Sequence, residues 1–164
     1  MAKTFAGVAT ANARIRASRA ADAAFVTAIE NDAELKRLVG GPSGKSEESY
    51  REFLNATSDL RFLIIESLTT GLPIGLCGLL TGLFSDDCEI RVILTKDYRG
   101  QGLGTEIASA LKEVAAEVFP NKVLTAKVHP DNTASLTIAR RLGLTDEGKI
   151  TSGPYEGWLH LTAL

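Results

Sequence analysis

Seven consecutive residues, Arg99-Gly100-Gln101-Gly102-Leu103-Gly104-Thr105, place glycine at alternate positions beside an arginine. Glycines at 100, 102 and 104 remove the Cβ atoms that would hold a ligand off the main chain, so several backbone N–H groups can converge on an anion. The preceding residues, Glu89 to Leu94, read as a strand, and those from about Leu103 to Phe119 carry apolar residues at helical spacing until Pro120-Asn121 ends the pattern. A helix that opens in this loop aims the positive end of its dipole at the same place, which makes phosphate oxygens the natural occupants. Arg99 can add a charge-assisted contact.

Two other phosphate motifs are weaker. Gly40-Gly41-Pro42-Ser43-Gly44-Lys45-Ser46 resembles a P-loop, but that motif needs glycine five places before its second glycine, and Val39 stands there, with no buried strand before it. The dinucleotide fingerprint fails because Thr105 occupies the place of the third glycine and the unit follows a hairpin instead of opening the fold.

The elements that must hold the loop can be read along the chain. Ala13 to Ala17 alternates as a short strand, and Asp22 is placed to cap a helix carrying Phe25, Val26 and Ile29 on one face. A second helical piece, Ala33 to Val39, stops at the Gly40 to Lys45 loop, and Ser46 opens a third with Tyr50, Phe53 and Leu54 at helical spacing, without the Glu or Gln of a capping box. Arg61 to Glu66 and Ile74 to Leu83, joined at Thr69-Thr70-Gly71, form a hairpin pattern. After the central strand, loop and helix come a branched strand at Val123 to Val128, a helix at Asn132 to Leu142 ended by Gly143, and strands at about Thr145 to Ile150 and Glu156 to Leu161 around Gly153-Pro154. Strand, helix, strand from Glu89 to Val128 is a right-handed crossover with two parallel strands. The hairpins before it are antiparallel, so the expectation is an α/β (α+β) domain over residues 1–164, with a mixed sheet and helices on both faces.

Composition bounds the function. With 164 residues, 45% hydrophobic and 23% charged, the chain has material for one core. A net charge of -2 argues against nucleic acid, and no apolar run approaches the ~20 residues that span a bilayer. Cys77 and Cys88 lack the spacing of a zinc site and read as buried thiols of a reducing cytoplasm; no metal is expected. Ala11-Asn12-Ala13 imitates a signal-peptidase site, but the stretch before it has no Leu or Ile and is broken by polar residues, so a cytoplasmic protein is expected.

Arg99, Gly102 and Gly104 after the fourth main strand, and His129-Pro-Asp-Asn132-Thr-Ala-Ser135 through Arg141-Leu-Gly-Leu144 further on, resemble the two signatures of the GNAT superfamily of N-acetyltransferases, at that family's separation. The likeness covers about residues 60 to 150 and looks most like the branch containing ribosomal-protein N-terminal acetyltransferases. It implies a mostly antiparallel sheet whose central parallel strands splay apart at a bulge, with acetyl-CoA as co-substrate. It further implies contacts to the cofactor from the main chain of Ile93 and Leu94, from Arg99, Gly100, Gln101, Gly102, Leu103, Gly104 and Thr105, and from Asn132, unless Asn132 serves only to cap its helix. An acceptor amine must lose a proton before attack, and Glu89 is the best candidate base, ahead of His129 and His160. Many members use a tyrosine near the middle of the last helix as the acid; Ala139 stands there, leaving Ser135, water or Tyr155. The acceptor expected is a primary amine, on a protein or peptide N-terminus or on a small molecule such as a polyamine, amino acid or aminoglycoside. A non-catalytic acyl-CoA-binding module is the alternative class, and homodimerisation is left open.

Overall fold

The computed structural model describes residues 5–40, 44–56 and 60–163. The strands are β1 (Val8–Ala9), β2 (Ala13–Ala17), β3 (Leu63–Ser67), β4 (Pro73–Thr81), β5 (Asp87–Leu94), β6 (Val123–Val128), β7 (Leu144–Lys149) and β8 (Leu159–Ala163). The helices are α1 (Ala23–Glu30), α2 (Ala33–Val39), α3 (Glu47–Ala56), α4 (Leu103–Val118) and α5 (Thr133–Arg141). One sheet holds the strands in the order β1-β2-β3-β4-β5-β6-β8-β7, and β5 with β6 is its single parallel pair. This is the mixed, mostly antiparallel sheet expected.

Alternation along β5 distributes side chains to two layers. Cys88 joins a core that includes Leu79, Ile107, Leu111, Leu124, Leu136 and Leu161, where α4 and α5 cover one face. Ile93 joins the other core, with Val26, Ile29, Tyr50, Leu54, Ile64 and Leu76 beneath α1 and α3. Helices therefore cover both faces.

Several boundaries move. The two-residue β1 is too short to show a period of its own; it pairs with β2 through Val8 to Ile15. The last strand begins at Leu159, because Gly153 to Gly157 forms successive turns with the Gly157 N–H donating to the Ile150 carbonyl at 2.8 Å. Ser46 does cap α3, its hydroxyl accepting from the Ser49 N–H at 3.2 Å. Of the P-loop-like stretch, residues 41–43 lie outside the described residues.

Asp22 holds the N-cap position of α1, but its side chain makes no cap hydrogen bond there. Its carboxylate instead accepts two hydrogen bonds of 2.8 Å from the Arg16 guanidinium and one of 2.9 Å from the Arg19 N–H. Arg16 also pairs with Glu66 on the neighbouring strand, so one guanidinium ties β2, β3 and the entry to α1 together. Burial pushes the Asp22 carboxyl up, but the Arg16 and Arg19 contacts outweigh it and hold it below its ordinary value of 3.8. A depressed folded value means that the stabilisation is complete above the unfolded value and is lost as pH falls through the folded one. Asp22→Asn should therefore cost about 3 kcal/mol at neutral pH by leaving Arg16 short of a partner. Urea melts should show the gap to wild type narrowing as pH is lowered beyond 3.8; an unchanged gap would remove the carboxylate from this role.

Candidate active site

The parallel ladder between β5 and β6 is short: Asp87, Cys88 and Glu89 pair with Val123, Leu124 and Thr125. Beyond it β5 keeps only β4, and Ala126 to Val128 keep only β8, so the two strands part after Glu89. No bulge accompanies the parting. The β4–β5 register runs without a shift from Thr81–Cys88 to Gly75–Leu94, which corrects the expectation of a bulged strand.

That register decides which main-chain groups face the gap. The Thr95 N–H donates to the Ile74 carbonyl at 2.9 Å, one step past the Gly75–Leu94 pair. Bonded pairs alternate in an antiparallel ladder, so the main chain of Ile93 is spent on Leu76, while that of Val92 and Leu94 points toward the gap. The Arg99 Nε–H donates to the Leu94 carbonyl at 2.8 Å, as this orientation requires. Ile93 is thus corrected to Val92 as a supplier of free backbone. The sequence pattern could have yielded this only with the register known.

At the end of the gap, Gly100 and Gly102 take φ of 73° and 83°, left-handed conformations that favour glycine, and a Cβ on either would meet nothing within 4 Å. Gly102 precedes α4 without a side-chain cap, and the first intrahelical bond here is from the Glu106 N–H to the Gly102 carbonyl at 3.2 Å. The N–H groups of Leu103, Gly104 and Thr105 therefore lack carbonyl partners within the helix, which is the donor set an anion needs. The other loop residues divide. The Gln101 side chain folds back onto the Asp97 carbonyl at 2.9 Å and the Leu103 side chain is buried in the core, so only their main chain can serve a ligand. Gly104 has a packing duty, because a Cβ there would come within 2.7 Å of Ile138 Cδ1. Arg141, within 3.3 Å of Thr105 Oγ1, brings a second guanidinium that the loop pattern did not announce.

Two adjoining cavities occupy the site. The larger, about 710 Å³, runs from Val92 and Leu94 past Gly100, Gly102 and Thr105 to Arg141. The smaller, about 160 Å³, is lined by Glu89, Arg91, Lys127, Tyr155 and Trp158 among others. Leu38, Val39, Val92, Asn132, Ser135 and Ile138 line both, so they mark the junction. Asn132 is committed to structure: its Oδ1 accepts from the Ser135 N–H at 3.2 Å, capping α5, and its Nδ2 donates to the Leu38 carbonyl at 3.3 Å. With the Arg37–Asp131 ion pair at 3.2 Å, this bond ties α2 across the junction to α5. Gly40 at the end of α2 abuts Tyr155 and Trp158, where a Cβ would approach Tyr155 Cε1 to 2.6 Å.

Charges and rings line the smaller cavity. Glu89 Oε2 pairs with Lys127 Nζ at 3.1 Å, and that ammonium lies 5.1 Å from the Tyr155 ring centroid. The rings of Tyr155 and Trp158 meet edge to face at 4.9 Å. Behind Arg91, the buried Glu30 is shared with Lys36; burial draws the Lys36 ammonium below its ordinary value, against the pull of Glu30. Burial pushes the Tyr50 phenol up, and the nearby Glu30 charge adds to this.

Of the acidic run before the parting, only Glu89 reaches either cavity; Asp86 and Asp87 sit at the closed end of the strand pair. His129 accepts from the Asp131 N–H at 3.1 Å and meets Trp158 edge to face, while His160 pairs in register with Lys127; neither lines either of these two cavities. Burial pushes the thiols of Cys77 and Cys88 up, which rules them out as nucleophiles near neutral pH. Among the described residues no three His, Cys, Asp or Glu side chains converge as a metal site, and no helix is long and apolar enough to cross a membrane.

The sequence matches the family model for the acetyltransferase (GNAT) domain over residues 12–145. The chain belongs to the GNAT acetyltransferase family. Its fold is shared with an acetyltransferase from Agrobacterium tumefaciens (TM-score 0.80, 22% identity, covering 100% of this chain and 97% of that one). It is also shared with spermidine N-acetyltransferase from Vibrio cholerae solved with CoA and spermine (0.79, 16%, 93% and 95%). A third similar structure is RimL, a ribosomal-protein alpha-N-acetyltransferase (0.74, 19%, 94% and 91%). No curated protein matches the sequence significantly. GNAT acetyltransferases draw their acyl group from acetyl-CoA, whose phosphates and amide-rich arm match what this site offers: free N–H groups at a helix start, then strand main chain without a partner.

Gly102→Asp would set a side chain in a left-handed position and a negative charge in the cradle. Acetyl-CoA should raise the melting temperature of the wild type and fail to do so for the variant. Equal shifts in the two proteins would remove the loop from the binding site.

Proposed function

We propose that the protein is an acetyl-CoA-dependent N-acetyltransferase whose acceptor is an α-amino group, on a peptide or protein N-terminus or on a small molecule. One observation carries this reading: the larger cavity, with its anion cradle and unpaired strand edge, adjoins at Ser135 and Val92 a smaller one that holds a carboxylate. Acetyl-CoA supplies an activated acetyl thioester when bound. The main-chain N–H groups of residues 102 to 105, with Arg99 and Arg141, hold its phosphates, and the main chain of Val92 with the N–H of Leu94, whose carbonyl Arg99 already occupies, pairs with its arm as an added strand would. The Val92 N–H is placed to stabilise negative charge developing on the acyl oxygen.

Glu89 accepts the proton that the acceptor ammonium must lose, directly or through water, while Lys127 orients its carboxylate. Ser135 donates to the leaving sulfur from the junction of the cavities, since Ala139, which lines only the smaller one, offers no hydroxyl. A thiol with a pKa near 8.5 leaves readily as thiolate, so a hydrogen bond from a serine is sufficient help. Tyr155 lines only the acceptor side, which favours Ser135 over it. Ser135→Ala should lower turnover about tenfold or more with little change in the KM for acetyl-CoA. A loss of that size in Tyr155→Phe, with none in Ser135→Ala, would reverse the assignment.

A lysine amine with a pKa of about 10.4 is neutral about one part in a thousand near pH 7.4, whereas an α-amine at about 7.7 to 8.0 is neutral roughly a quarter of the time. With one carboxylate as base, the α-amine is the easier nucleophile. The likeness to the ribosomal-protein branch points the same way. Glu89→Gln should cost about 10²-fold in turnover at low pH and recover partly as pH rises and free amine accumulates. A profile parallel to wild type would exclude Glu89 as the base, and faster acetylation of an N-terminally blocked lysine peptide than of a peptide with a free α-amine would overturn the acceptor.

A further inference from the structure

Arg91 follows Glu89 by two residues on β5, so the two side chains leave the same face of the strand about 7 Å apart. Both line the smaller cavity, and the Arg91 side chain is 22% exposed. Its carboxylate partner is a poor match: Glu30 Oε1 lies 3.4 Å from Arg91 Nη2, while Glu30 Oε2 is held by Lys36 at 2.5 Å. Glu30 itself is 1% exposed and sits behind Arg91 at the end of α1, so one buried carboxylate serves two cations. A half-buried guanidinium has five donors in a planar fork, and this one retains donors for a second carboxylate on its cavity side.

The charge count agrees. Among the described residues lining this cavity, Arg91 and Lys127 outnumber Glu89 by one positive charge, and adding Glu30 and Lys36 behind Arg91 leaves that surplus unchanged. The rings of Tyr155 and Trp158 line the same cavity, and an ionic contact formed against such low-dielectric surface is stronger than one in bulk water. A polyamine acceptor would call for the reverse, a surplus of carboxylates to meet its second and third ammonium groups.

Resting on the transfer to an α-amine described above, we propose that the acceptor carries a carboxylate within a few atoms of that amine, and that Arg91 binds it while Glu89 receives the amine. Two sources present this chemistry: a free α-amino acid, and a peptide whose first residue is acidic. The bond formed is the amide between acceptor nitrogen and acetyl carbon, and the bond broken is the thioester C–S bond; of the two protons the ammonium loses, one passes to Glu89 before attack and the other, shed by the nitrogen once it has attacked, ends on the departing sulfur, which leaves as the free thiol. The acceptor carboxylate takes no part in bond changes, so Arg91 is a specificity residue.

The test uses the intact protein with acetyl-CoA and reads free thiol. Its acceptors are α-amino acids against their α-carboxamides, dipeptides beginning with Asp against those beginning with Asn, and spermidine. Removing one charge-assisted pair should lower kcat/KM about tenfold or more, so acids should exceed their matched amides by that factor in at least one series. Preference in the amino-acid series names a free amino acid; preference in the dipeptide series names an acidic peptide N-terminus. Arg91→Gln should abolish the ratio between acid and amide, and Arg91→Lys should keep part of it. Amides or spermidine used as well as or better than the acids would overturn the inference and leave N-acetyl transfer standing. A ratio unchanged in Arg91→Gln would likewise overturn it. Absence of turnover with every amine would overturn both readings.

Discussion

Two parallel strands that share a ladder for three residues and then stop sharing it leave main-chain donors and acceptors facing a gap instead of a neighbouring strand. That single interruption organises the molecule. β5 is kept in place by β4 along its whole length and β6 by β8, so the gap costs only the bonds between β5 and β6 themselves. Its open end faces the start of α4, where the helix has N–H groups to spare. A ligand with phosphates at one end and amides along an extended arm would meet both needs at once.

The arrangement also separates duties that sequence alone merges. Glycines 100, 102 and 104 look equivalent in the chain, yet two of them adopt backbone that favours glycine beside open space, and the third lets α4 approach Ile138 on α5. Asn132 is both a cap and a tether, and the tether places Leu38 and Val39 of α2 over the junction of the cavities. Cofactor cradle and acceptor pocket thereby share the wall made by α5 and Val92 and differ at their far ends, where the first has the start of α4 with Arg141 and the second has Glu89, Arg91 and Lys127 with Tyr155 and Trp158.

Much of this could be read from local pattern, because the loop, its strand and its helix are contiguous and their periods change sharply at Arg99 and Leu103. Glu89 was visible for the same reason. What escaped notice depended on partners distant in sequence. Arg91 appears as one more charged strand residue until Glu30, 61 positions earlier, is found behind it, and Lys127 gains meaning only across the β5–β6 pair. That the main chain of Val92, and not of Ile93, faces the gap is not legible in the sequence, because hydrogen-bonding parity belongs to the pairing of two strands and leaves no trace in either one. Asp22 misled for a related reason: an acid before a helix suggests a cap, and only the fold brings Arg16 close enough to claim it.

The unbroken β4–β5 register has an evolutionary consequence. Since neighbouring residues on a strand face opposite ways, a one-residue insertion between Glu89 and Arg91 would exchange the set of N–H groups facing the gap on one side of it and send either Glu89 or Arg91 to the α4 side. The hairpin tip from Gly82 to Asp86, where Leu83 and Phe84 are fully exposed, stands outside that ladder, so a change of length at Leu83 and Phe84 leaves the β5 register intact. Homologues should therefore vary in length at the tip and hold the count from Glu89 to the glycine loop constant. A bulge, in a relative that has one, would have to be matched by a change in which residues carry the acid and the base.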